Sequence, residues 1–131
     1  MSTTQPEFLI ACLCAAWCVT CRDYRAGFEA LAARFPEARF LWLDVEDDAD
    51  LLDDYDVDNF PTLLIQRHEA VLFFGTMLPH HDLLQRTLES FHAQSPDEST
   101  RYAHADSLRR SWQNERNLRR ALAERDGPGA R

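Results

Sequence analysis

The chain has 131 residues, 45% of them hydrophobic and 27% charged, with four Gly and six Pro. That composition suits one compact domain with a small appendage, and it excludes two large domains, a low-complexity chain and wholesale disorder. The formal charge of -8 is uneven, with 18 Asp and Glu against 6 Arg up to residue 100 and 4 against 8 beyond it; an acidic body excludes nucleic acid as the main partner, because duplex binding needs a basic footprint.

The segment before Phe8 carries Glu7 and no Arg or Lys, whereas an export signal needs a positive start, so a cytoplasmic location is expected. The apolar run from Phe8 to Val19 is too short to span a bilayer, and no membrane insertion is expected. Its first part, Phe8 to Cys14, reads as a buried strand. From Thr20 the period changes: Tyr24, Phe28, Leu31 and Phe35 recur at spacings of three and four and Pro36 closes the segment, which predicts a helix. Phe40 to Val45 reads as a strand, Ala49 to Tyr55 as a short acidic helix, Thr62 to Gln66 and Val71 to Phe74 as strands joined by a tight turn, and His81 to Ala93 as an amphipathic helix. His80 and His81 read as a solvated helix start.

The expected order is β-α-β-α-β-β-α over residues 1–94, an α/β arrangement. Residues 95–100 read as a linker, 101–126 as one amphipathic helix and 127–131 as a disordered tail. Ala105, Leu108, Trp112, Leu118 and Leu122 fall on one side of a helical wheel among Arg and Glu. The stripe from Leu108 to Leu122 is expected to dock, with the body of its own chain and a homodimer both open as the acceptor. Between Asp44 and Asp58 nine of fifteen residues are acidic; without a central Gly and the spacing of a calcium loop they read as a solvated face favouring basic partners.

All four cysteines, Cys12, Cys14, Cys18 and Cys21, lie within ten residues. Cys18 and Cys21 form a C-x-x-C pair at a strand-to-helix junction. There the leading sulfur meets unpaired backbone N–H groups, a setting that favours thiolate, and the second sulfur is close enough to displace a mixed disulfide. The alternative is a metal site using all four sulfurs. Alternate residues of a strand share a face, which puts Cys12 and Cys14 side by side, where they read as two small buried hydrophobes.

Trp17-Cys18-x-x-Cys21, the distant Phe60-Pro61-Thr62, and Gly75 after the last strand together resemble the thioredoxin family from Phe8 to about Phe91. The resemblance implies a minimal thioredoxin fold, a central mixed sheet flanked by helices, here with an extra C-terminal helix. It further implies a thiol-disulfide oxidoreductase, most often a reductase, in which Cys18 attacks and Cys21 resolves. Pro61 would be cis, and Trp17, Phe60, Pro61, Thr62 and Gly75 would face the substrate. No cofactor beyond a redox-active Cys18–Cys21 disulfide is implied, and the implied partners are disulfide-containing proteins and an electron donor. The family's buried acid aligns with Cys12, and Val19-Thr20 replaces the usual Gly-Pro, so Cys12 and Cys14 are candidates to modulate the pair. The remaining alternative class is a non-enzymatic interaction module that keeps the fold as a scaffold.

Overall fold

The computed structural model describes residues 6–52, 55 and 57–126; the tail expected at 127–131 lies outside them. Strand β1 (Phe8–Cys14) leads into α1 (Val19–Arg34), β2 (Arg39–Asp44), α2 (Ala49–Leu52), β3 (Thr62–Arg67), β4 (Ala70–Thr76) and α3 (His81–Ala93). The strands form one sheet in the order β2-β1-β3-β4, with β1 parallel to β2 and β3 antiparallel to both β1 and β4. Every residue of β1 is buried because both faces of this strand are covered. Phe8, Ile10, Cys12 and Cys14 enter a core with Tyr24, Phe28 and Leu31 of α1 and Leu84, Leu88 and Phe91 of α3. Leu9, Ala11 and Leu13 enter the opposite core. This alternation is the period of two that a pleated strand imposes.

The C-terminal segment differs from the single helix expected over 101–126. It forms three short helices, α4 (Pro96–Ala103), α5 (Ser107–Glu115) and α6 (Leu118–Asp126), and the expected linker 95–100 is mostly the start of α4. The reason is local. Ser95 and Glu98 make a reciprocal capping box with Pro96 in the first turn. Asp106 then accepts from the Arg109 N–H at 2.8 Å to start α5, and Asn117 Oδ1 accepts from the Arg120 N–H at 3.1 Å in the first turn of α6.

These helices dock on their own chain. Leu118 and Leu122 are buried in the second core beside Leu51, Leu52 and Val71, and Trp112 packs against it. Leu108, expected in the same stripe, is 62% exposed, although Trp112, one turn later in α5, packs against the core. Polar side chains fix the docking. Gln66 of β3 accepts from the N–H groups of Leu118 and Arg119 at 3.0 and 3.2 Å, while its Nε2 donates to Asn117 Oδ1 at 2.7 Å. Gln113 of α5 bonds both the N–H and the carbonyl of Val71 at 2.8 and 2.9 Å, and so occupies pairing groups on the edge strand β4. Buried Arg67 donates to Glu7, to the Gln94 carbonyl and to Ser99, tying β3 to the N-terminus and to α4.

Helices α1 and α3 approach closely at Gly27. His81, read as part of a solvated helix start, is half-buried: its ring stacks on Tyr24 at 4.9 Å and its Nε2 lies 3.2 Å from the Tyr24 carbonyl. A methyl group on Gly27 would overlap this imidazole. Gly27→Ala is therefore expected to destabilise the protein. The helix-propensity gain of up to about 1 kcal/mol is outweighed by an overpacking cost of roughly 1–3 kcal/mol. Urea unfolding measures this, and in a His81→Ala background the same substitution should become neutral or stabilising.

Candidate active site: a cysteine cluster at the end of β1

The carboxyl end of β1 and the first turn of α1 place the four cysteines. Cys18 is the N-cap of α1, with its N–H bonded to the Ala15 carbonyl at 3.0 Å. Its thiol is free, and the residue is partly exposed. Trp17 and Val19 on either side are 63% and 59% exposed. Cys21 lies one turn deeper, on the buried stripe of α1 with Tyr24 and Phe28.

In this structure Cys21 is disulfide-bonded to Cys14, and Cys18 is a free thiol. Cys14 ends β1 on the face that α1 covers, and the two Cα atoms are 5.9 Å apart, within the usual disulfide range. Both residues are 1% exposed. Cys14 is thus a bonded partner of the motif rather than a small buried hydrophobe. The signal was available in part, since Cys14 shares the parity of the inward residues of β1 and Cys21 shares the spacing of the inward residues of α1.

Cys12 is a free buried thiol whose Sγ lies 3.6 Å from Cys14 Sγ. Burial pushes the Cys12 thiol up to about 12, opposed by the positive charge of Arg25. Its folded-state value thus lies above the unfolded one of about 8.5. The stability this contributes is fully present below the unfolded value and is lost as pH rises toward about 12. Between these limits the slope is about 1.4 kcal/mol per pH unit for one retained proton. Replacing Cys12 with Ala should make the alkaline fall in stability shallower by about that slope, measured by urea unfolding at a series of pH values. No group of three or more His, Cys, Asp or Glu arranged to hold a metal ion is present among the described residues.

The Phe60–Pro61 peptide bond is cis, as expected from the motif. The next residue, Thr62, pairs with Leu13 in the sheet register, which brings the loop to the end of β1 that carries Cys14. Pro61 is buried, and its carbonyl accepts from the Met77 N–H at 3.2 Å. Thr62 is buried too, and its hydroxyl donates to the Asn59 carbonyl at 2.6 Å, so its side chain shapes the loop. Phe60 meets the Trp17 ring edge-on at 5.6 Å. Gly75, expected just after the last strand, lies inside β4 opposite Leu63. Leu78, in the loop beyond β4, is 66% exposed. Of the four large apolar side chains exposed among the described residues, three (Trp17, Val19 and Leu78) flank the active-site segments. Leu78 has no individual signal in the sequence, because only the fold brings its loop to the end of the sheet that carries the motif, whereas Val19 lies within the motif itself.

The acidic segment after β2 is partly structural. Asp44 accepts from the N–H groups of Glu46 and Asp47 at 2.8 and 3.0 Å, and these bonds hold its carboxyl below the usual range. Asp48 pairs with Arg125 of α6 at 3.2 Å, so one contact of basic tail to acidic body is made within the chain.

A four-stranded mixed sheet covered on both faces, a cysteine at the start of the helix after its central strand and a cis proline at the same end define the thioredoxin fold. A family model for thioredoxin matches residues 2–87. The chain belongs to the thioredoxin family. Among curated relatives, a putative thioredoxin of Arabidopsis thaliana is 33% identical over 58 residues, 44% of this chain and 38% of its own length. Putative thioredoxin 2 of Streptomyces coelicolor is 28% identical over 72 residues, 55% and 54% of the two lengths. The chain thus spans about half or less of the length of these relatives. Among solved structures, thioredoxin from Trypanosoma brucei brucei superimposes with a TM-score of 0.62 at 21% identity, covering 69% of this chain and 79% of that one. A mutant thioredoxin from Halobacterium salinarum gives 0.60 at 26% identity, with the same coverage. The family match ends within α3, so α4, α5 and α6 lie beyond it.

Proposed function

We propose that the protein is a thiol-disulfide oxidoreductase that reduces disulfides of other proteins through Cys18 and Cys21. The observation that carries this reading is the free, partly exposed Cys18 thiol at the N-terminus of α1, at the sheet end where the cis Phe60–Pro61 loop lies. In the exchange the Cys18 thiolate attacks one sulfur of the substrate disulfide, and the other leaves as a thiolate. Cys21, when reduced, then attacks Cys18, which releases the reduced substrate and leaves Cys18 and Cys21 joined. The oxidised pair needs two electrons from a donor dithiol to begin again. Exposed Trp17, Val19 and Leu78 supply apolar contact for an unfolded or loop-borne protein disulfide.

The cytoplasm, where a dithiol is kept reduced, is the proposed setting. The chemistry uses the cysteines alone, with no cofactor. Reduction of insulin disulfides driven by dithiothreitol tests the reading: the protein should accelerate precipitation of the insulin chains in proportion to its concentration, and a rate equal to that of dithiothreitol alone would reject it.

A further inference from the structure

Cys14 is a nucleophilic group that the exchange just described does not use, yet it holds the resolving cysteine in this structure. We propose that Cys14 is a third redox thiol that takes the disulfide over from the Cys18–Cys21 pair, so that the oxidised protein stores it as a buried Cys14–Cys21 bond and returns Cys18 to the surface as a free thiol. The proposal rests on the reductase reading for the origin of the Cys18–Cys21 bond.

The step balances without an outside reagent. The Cys14 thiolate attacks Cys21 Sγ; the Cys14–Cys21 bond forms, the Cys18–Cys21 bond breaks, and Cys18 leaves as a thiolate. The proton lost by Cys14 is matched by the one Cys18 takes up, and one disulfide replaces another with no net change in electrons. Cys21 can serve both partners because of where it sits. It is one helical turn beyond Cys18, and its Cα is 5.9 Å from that of Cys14 at the end of β1. Cys12 supports the same step. Its Sγ is 3.6 Å from that of Cys14, and as a thiol that stays protonated it donates to the Cys14 sulfur when that sulfur carries charge. A cleft lined by Cys21, Arg22, Arg25, Trp42 and Asp44 opens beside Cys21, the sulfur that both partners share.

The consequence is a protected oxidised state. With both sulfurs on residues 1% exposed, direct attack on the Cys14–Cys21 bond by a small thiol reductant is slowed. The faster route of reduction passes back through Cys18, which attacks Cys21 and restores the exposed pair.

The test uses the full chain without substitution. Reduced protein is oxidised with one equivalent of diamide or of insulin, quenched with acid, alkylated with N-ethylmaleimide and cleaved after Trp17 with chymotrypsin. This cut separates Cys14 from Cys18 and Cys21. The expected result is a pair of peptides linked through Cys14 and Cys21, with Cys18 alkylated. Alkylated Cys14, with Cys18 and Cys21 joined inside one unlinked peptide, would overturn the proposal. In Cys14→Ala the oxidised protein should lose alkylation at Cys18 and become more rapidly reducible by glutathione; Cys18 that stays alkylatable there would also count against it. Insulin that oxidises none of the thiols would reject the reductase reading instead, and the diamide arm would still read the Cys14–Cys21 link.

Discussion

Cys18→Ser is expected to reduce disulfide exchange by at least about a thousandfold, the scale on which an enzyme loses rate when its nucleophile is removed. The reasoning is positional. Cys18 is the N-cap of α1 and partly exposed, whereas Cys12, Cys14 and Cys21 are buried at 0%, 1% and 1% exposure. An approaching disulfide can meet no other thiol. Cys21→Ser has a different signature: attack by Cys18 still occurs, but release fails and the mixed disulfide accumulates. Electrophoresis without reductant measures both outcomes. Equal trapping by the two variants would contradict the assignment.

Leu118→Ala is expected to lower stability by about 2–5 kcal/mol, the range for truncating a buried leucine. Leu118 is 0% exposed in the core beneath α2 and α6, and its N–H is one of two held by the buried Gln66 side chain. Loss of packing there would loosen the cap on α6 and leave Gln66 with weakened partners. Leu108→Ala, ten residues earlier on the same apparent stripe, should change stability by less than about 0.5 kcal/mol, because that side chain already stands in water. Urea unfolding of the two variants checks the contrast. It also checks that α6 is part of the folded body, since docking supported only by exposed pairs such as Arg125–Asp48 would be weak and sensitive to salt.

The thioredoxin-like body was legible because its signals are local and repeated. The alternation of β1, the three-and-four spacing of Tyr24, Phe28 and Leu31, and the Trp17-Cys18-x-x-Cys21 motif at their junction each point to the same architecture, and Phe60-Pro61-Thr62 carried the cis bond. The tail departs from its expected single helix because an apolar period carries no information on where a helix breaks. Ser95, Pro96 and Glu98 spell a capping box, and Asp106 and Asn117 are good caps, yet the period from Ala105 to Leu122 outweighed them. Gln66 and Gln113 gave no sign of their roles, because each bonds groups far away in sequence. For the cysteines, parity placed Cys14 on the inward face, but its choice as partner of Cys21 depends on how closely the end of β1 approaches the first turn of α1, a tertiary distance.

The central claim is that this cysteine cluster is a two-electron redox centre that opens to partners through Cys18. Equilibration of the full chain with glutathione buffers of graded potential, followed by acid quench, alkylation and mass spectrometry, tests it most directly. The account predicts a single transition between about -270 and -120 mV, the range spanned by thioredoxin-fold proteins, in which two thiols are lost together and Cys21 is one of them in every oxidised molecule. Four alkylatable thiols throughout that range, or glutathione on Cys18 with Cys21 still free, would contradict it.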